Sequence, residues 1–365
     1  MSYDPFARGT HPVGVTSIAL RDDARQRELP LEIWYPADAS HRGEDLEPDT
    51  QDHYVVLPIA PSVAQSAVRD ARVAEGAFPL VMFSHGFGGH RRQTSHFCIH
   101  LASHGYVVAS VDHTGNTVVD MMALFQQTQT DGDVSDFEDV LSEFAAHRPP
   151  DVRFALDRLL AGEAGISAAV IDAARVGMSG HSFGGWTTLM VSAADPRIRA
   201  ALPLAPANEH GALIPESGAI SLPRAVSDRA VPTLFLVAER DALLPLDGMR
   251  KLLEATPGSP VMAVLENADH MHFCDEVEQS HELFRSLGAV AFGGAKGVVN
   301  FGELLASIPP AAELCPGSQA YDFLRGLGLA HMDAHLKASA EARRFLERDV
   351  AAALAERGVA ASWIG

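Results

Sequence analysis

The chain has 365 residues, is 47% hydrophobic and 21% charged, and carries a formal net charge of -19. That is the composition of a soluble globular protein with a sizeable core, and its acidity excludes nucleic acid and anionic membrane surfaces as partners. No apolar run approaches the roughly 20 residues that span a bilayer, so no membrane-embedded role is expected.

In chain order, Val13–Leu20 and Leu29–Pro36 alternate like two strands across a polar turn and predict an N-terminal hairpin. Residues 37–53 are acidic and polar and read as an exposed loop, and 54–75 has no clear period and is open to a helix. Phe78–Gly86 is a buried-strand run ending in glycine, followed by a helical stretch to Gly105 and a second strand run, Tyr106–Asp112. Residues 150–160 have helical periodicity, Ala174–Ser179 reads as a short buried strand, and Trp186–Ala194 continues as a helix up to Asp195-Pro196. Further strand runs follow at Ile198–Leu204, Thr233–Ala238 and Val261–Leu265, and helical patterns dominate 320–357.

Short apolar runs alternating with helices predict an α/β class, with a doubly wound, mostly parallel sheet covered on both faces. The whole chain, 1–365, reads as a single domain. Segments 114–148 and 286–318 break the alternation and are expected to be insertions, the first a cap.

The most informative stretch is Gly180-His181-Ser182-Phe183-Gly184, a Gly-x-Ser-x-Gly pattern between a strand run and a helix. A serine on a sharp strand-to-helix turn sits at strained backbone angles, so its neighbours two positions away must lack side chains. The helix behind it aims its first N–H groups at the place where an oxyanion develops. Ser182 is the candidate nucleophile.

A serine needs a base, and the base needs an orienting acid. In a doubly wound sheet these gather at the carboxyl ends of later strands. Asp241 follows one strand run, with Glu239 and Asp269 as alternatives; His270 follows the next, with His272 as the alternative. The order Ser182, Asp241, His270 is the one this fold requires. The glycine-rich His85–Gly89 ends an early strand, so the backbone N–H groups of Phe87 and Phe183 are the candidate oxyanion-hole donors.

No cofactor or metal is expected. His96, His100 and His104 share one helix face and His331 and His335 another, but neither set reads His-Glu-x-x-His, and His270-x-His272 lacks a third ligand. Cys98, Cys274 and Cys315 are odd in number and lack ligand spacing. Together with an N-terminus that has neither a basic start nor an apolar stretch, they point to a reduced cytoplasmic protein, a Cys274–Cys315 bridge being left open.

The stretches Phe83–Gly89, Leu101–His113 and Gly180–Gly185, with Arg148–Val152 at the start of a helix and Asn267–His270, resemble the α/β-hydrolase superfamily. The closer resemblance is to platelet-activating-factor acetylhydrolase-like and dienelactone-hydrolase-like esterases. Dienelactone hydrolases proper carry cysteine where this chain has Ser182. The resemblance implies a metal-independent serine carboxylic-ester hydrolase working through an acyl-enzyme on a small or medium apolar ester. An amidase, acyltransferase or carbon–carbon bond hydrolase on the same fold, or a non-catalytic binding protein, are the alternatives. Met121, Met122 and Phe125, apolar in a polar stretch, are expected to line the substrate pocket under the cap. Oligomeric state is not read from the sequence.

Overall fold

The N-terminal hairpin forms as its alternation predicts. Strands β1 (Val13–Asp22) and β2 (Arg27–Pro36) pair antiparallel, with Val13 opposite Pro36 and Asp22 opposite Arg27. The computed structural model describes residues 3–57, 61–131, 137–212, 229–292, 301–348 and 350–364, without the side chains at 125–131, 137, 287–292, 301 and 302. Within 54–75 there is no helix among the described residues. β3 (Asp52–Tyr54) pairs with β4 (Val63–Gln65), and β5 (Val68–Arg69) joins the edge of β1. Pro61 and the β-branched Val63 and Val68 favour extended backbone there.

The α/β alternation follows: β6 (Phe78–Ser84), α1 (Ser95–Ser103), β7 (Val107–Val111), α2 (Val118–Asp131), α3 (Phe137–Leu160), β8 (Ile171–His181), α4 (Phe183–Ala194) and β9 (Ile198–Leu204). Then come β10 (Leu234–Ala238), α5 (Leu246–Ala255), β11 (Val261–Leu265), α6 (Val277–Phe292), α7 (Phe301–Ser307), α8 (Gly317–Leu336), α9 (Ala340–Glu347), α10 (Val350–Ala355) and β12 (Ala361–Ile364). Segment 114–148 is therefore largely helical, and α3 begins well before the residues 150–160 that carry its clearest period. Pro149 and Pro150 lie inside it rather than at its start. Segment 286–318 holds the end of α6, all of α7 and the start of α8, with 293–300 outside the described residues.

Among the described residues the main sheet orders as β12-β11-β10-β9-β8-β6-β7-β2-β1-β5. From β11 through to β7 all pairs are parallel, and β12 and the hairpin run antiparallel at the two sides. This is the doubly wound, mostly parallel sheet that the apolar runs predict. Interior strands are apolar on both faces because both are covered. In β6, Val81 and Phe83 enter one core with α1 and α8, while Leu80 and Met82 enter the other with α3. Succession runs outward one way from β6 to β7 and the other way from β8 to β9, so the order reverses between β6 and β8. A crevice opens at such a reversal, at the carboxyl ends of the strands.

Candidate active site

Ser182 stands in that crevice, between β8 and α4, at φ 58 and ψ -116. A non-glycine residue there is strained by roughly 1–3 kcal/mol and persists only if its surroundings hold it. The Ser182 N–H donates to the Leu204 carbonyl (2.9 Å), and its own carbonyl accepts from Trp186 (3.1 Å) and Ala207 (2.9 Å). The glycines leave the room: a β-carbon on Gly180 would strike the Gly184 carbonyl, and one on Gly184 would strike that of Ser84. Phe183 is the first residue of α4, in the turn whose N–H groups have no intrahelical acceptor.

Asp241 and His270 meet on adjacent loops, after β10 and β11. Asp241 Oδ2 lies 2.7 Å from His270 Nδ1, while Oδ1 accepts the N–H groups of Leu243 and Leu244 (both 2.9 Å). A carboxylate accepts only, so Nδ1 carries the proton and Nε2 is left bare. Burial opposes charge on this imidazole, but the Asp241 carboxylate outweighs it and raises the His270 pKa above the ordinary 6.5. Among the described residues no hydrogen bond joins the Ser182 hydroxyl to His270; such contacts commonly tighten only around substrate.

The alternatives fall elsewhere. Glu239 is exposed and its carboxylate takes the Asn267 N–H (2.8 Å). Asp269 is buried beside His281 rather than His270. His272 spans from the Asp269 N–H to the Cys315 carbonyl, both 3.0 Å, as a loop brace.

The loop after β6 reaches Ser182: a β-carbon on Gly86 would lie 3.4 Å from Ser182 Cβ. Gln93 ties this loop to the histidine loop. Its Oε1 accepts from Gly86 N–H (2.9 Å), so its amide nitrogen faces and donates to His181 Nδ1 (2.8 Å). His181 Nε2 then donates to the His270 carbonyl (3.0 Å). Protonation of Nδ1 would break the chain, and burial first, then His270 beside it, holds the His181 pKa well below the usual value.

Beneath the loop lies a second Ser–His–Asp chain, sealed from solvent. Ser84 Oγ is 2.8 Å from His113 Nε2, and His113 Nδ1 is 3.0 Å from Asp151 Oδ2, which also pairs with Arg27 at 2.8 Å. Burial works against ionisation of Asp151, yet His113 and Arg27 hold its carboxyl well below the usual carboxylate range. With Ser84, His113 and Asp151 all buried, this chain braces the strand end. Sequence reasoning missed the roles of Gln93, His113 and Arg148; His113 ends one quoted motif and Arg148 begins another, at a helix start, while Gln93 stands in none.

Helices α2 and α3 bring Met121, Leu141 and Phe144 over Phe183 and Trp186, with Phe87 packed alongside. Met121 is buried, Met122 is 42% exposed and outside that cluster, and the Phe125 side chain lies outside the described residues. In the first histidine row His100 and His104 bind the Pro5 and Ala7 carbonyls (both 2.9 Å), and His96 stacks on Tyr321. Among the described residues no cluster of three or more His, Cys, Asp or Glu could hold a metal ion, and no helix is long and apolar enough to cross a membrane. Cys98, Cys274 and Cys315 are all unbridged.

A solved ferulic acid esterase from Streptomyces cinnamoneus superposes with a TM-score of 0.65 and 25% identity, covering 98% of both chains. The chain has the α/β-hydrolase fold. Residues 50–143 of the chain match the family model described as platelet-activating factor acetylhydrolase, isoform II, and 142–286 match the one described as PET hydrolase-like. Over 201 residues it is 27% identical to cutinase est1 of Thermobifida alba, covering 55% of each chain. It is likewise 27% identical over 201 residues to the bis(hydroxyethyl) terephthalate hydrolase of Streptomyces coelicolor, covering 55% of this chain and 52% of that one. Platelet-activating factor acetylhydrolase of Bos taurus is 27% identical over 125 residues, 30% of this chain and 28% of its own. The chain thus spans about half the length of the curated relatives it matches.

Proposed function

We propose that this protein is a serine carboxylic-ester hydrolase working through an acyl-enzyme. The observation that carries the reading is the Asp241–His270 contact of 2.7 Å, which leaves a bare imidazole nitrogen on a ring packed against His181, the residue before the strained Ser182. In this reading Ser182 Oγ attacks the ester carbonyl while His270 Nε2 takes its proton. The Phe87 and Phe183 N–H groups receive the oxyanion, and His270 returns the proton to the departing alcohol. Water, deprotonated by the same nitrogen, then cleaves the acyl-enzyme. Asp241 keeps the imidazole in the working tautomer and stabilises the imidazolium.

The apolar side chains gathered by Phe183, Trp186, Met121 and Phe144 suit an apolar or aromatic acyl group. The names of the relatives, cutinase, terephthalate-ester hydrolase and ferulic acid esterase, lie in the same class. Nothing in the mechanism calls for a metal, and activity should survive dialysis against EDTA. The three unbridged cysteines suit a reducing compartment such as the cytoplasm. A panel of p-nitrophenyl esters of increasing acyl length, with phosphonate labelling, tests the reading. It fails if pure protein hydrolyses none of them, or if the label settles anywhere but Ser182.

A further inference from the structure

Arg148 is fully buried within α3 and makes no ion pair among the described residues. Its guanidinium donates to two backbone carbonyls and to neutral side chains. Nη1 donates to the His85 carbonyl (2.6 Å) and Nη2 to the Gly86 carbonyl (2.8 Å), while Nε is held by Asn116 Oδ1 (3.0 Å). Its face lies over the Phe183 ring, 4.4 Å from the centroid. One cation therefore touches the peptide unit that carries the Phe87 N–H and the ring of Phe183, the two residues whose N–H groups serve as oxyanion donors in the esterase reading.

We propose that Arg148 is a positioning residue that sets the oxyanion hole from behind, an inference that rests on that reading. The Gly86 carbonyl and the Phe87 N–H belong to one planar trans peptide, so fixing the oxygen fixes the direction of the N–H on the opposite side. That oxygen is also contacted by His85 Nδ1 (2.7 Å) and by the Gly89 N–H (3.2 Å). Drawing donors onto the oxygen polarises the peptide and makes the Phe87 N–H a better donor. The guanidinium suits the task because it is planar and binds two successive carbonyls at once; a lysine ammonium is a single point. Stacking on Phe183 ties the start of α4 to the same group, so the two donors keep their spacing when substrate enters.

The test uses Arg148→Lys, with Asn116→Ala as a milder variant that leaves the guanidinium in place but loosens its holder. Each is assayed on an oxoester and on the matching thionoester, whose sulfur makes poor use of an oxyanion hole. Removing one oxyanion donor outright costs about 10²–10³ in kcat, so Arg148→Lys should lower oxoester kcat by about 10–10² with KM within about threefold. Thionoester kcat should fall far less, and Asn116→Ala should follow the same pattern more weakly. A merely structural role would lower both substrates together, and that result overturns the proposal. Amide hydrogen exchange gives a readout independent of turnover: the peptide carrying 86–89 should exchange faster in both variants while β8 is unchanged. Unaltered exchange there also overturns the proposal. If the wild type and Ser182→Ala hydrolyse the oxoester equally, the esterase reading fails instead, and exchange alone then judges the clamp.

Discussion

Asp269 and His281 face each other 3.9 Å apart in the interior, both fully buried. No hydrogen bond of ordinary geometry reaches either carboxylate oxygen or His281 Nδ1 among the described residues. His281 Nε2 lies 2.8 Å from the Pro309 carbonyl and so carries a proton, which turns the Nδ1 lone pair of a neutral ring toward the carboxyl. Burial, and then the Asp241 charge nearby, push the Asp269 pKa up to about 6. An acid raised in the folded state contributes stability that is fully present below its unfolded value of about 3.9, and loses it as pH rises through the folded one. Asp269→Asn should therefore gain on the wild type in melting temperature between about pH 4 and pH 7. A difference that stays flat across that range would show that Asp269 titrates normally.

Ser182→Ala should abolish ester turnover while leaving the fold intact, since alanine removes only the hydroxyl. The expected loss is on the order of 10⁴–10⁶ in kcat. Mass spectrometry of phosphonate-treated wild type should find the adduct on the peptide containing Ser182 and none in the variant.

For the acid, Asp241→Asn should cost about 10⁴ in kcat, because the imidazole loses its fixed tautomer. Glu239→Gln should be near wild type, since Glu239 caps the Asn267 N–H rather than touching His270. The acid limb of the kcat/KM profile reports His270, whose bare form is the active one. Its raised pKa places that limb above 6.5 in the wild type. If Glu239→Gln proves the worse variant, the two roles must be exchanged.

Helix α2 makes a different kind of prediction. Met122 is exposed, so Met122→Ala should change stability by no more than about 0.5 kcal/mol. Met121 packs in the cluster over Phe183 and Trp186. Met121→Ala should shift acyl-length preference by about 1–3 kcal/mol in relative kcat/KM. A large fall in melting temperature with unchanged preference would mark Met121 as core.

Much of this was legible in the sequence for local reasons. Phe78–Gly86 and Val261–Leu265 announced buried strands because central parallel strands must be apolar on both faces, and Ser182 stood out because the elbow needs its glycines. What stayed hidden is set by distance in space. The arginine of Arg148-Pro149-Pro150 is an ordinary charge until α3 is laid against the β6 loop. Gln93 has no pattern that marks it as the link between Gly86 and His181. The segment 54–75 was ambiguous because strands of two or three residues show no measurable period, and Ala361–Ile364 was missed for the same reason.

β12 pairs along Met262–Leu265 and is the outermost strand on its side of the sheet. A chain cut before Ala361 would expose one ladder of β11 backbone donors and acceptors, flanked by the apolar Met262 and Val264. Such a bare rim invites a strand from a neighbouring molecule. Tags and truncations at this end therefore act on colloidal behaviour, far from the crevice that holds Ser182.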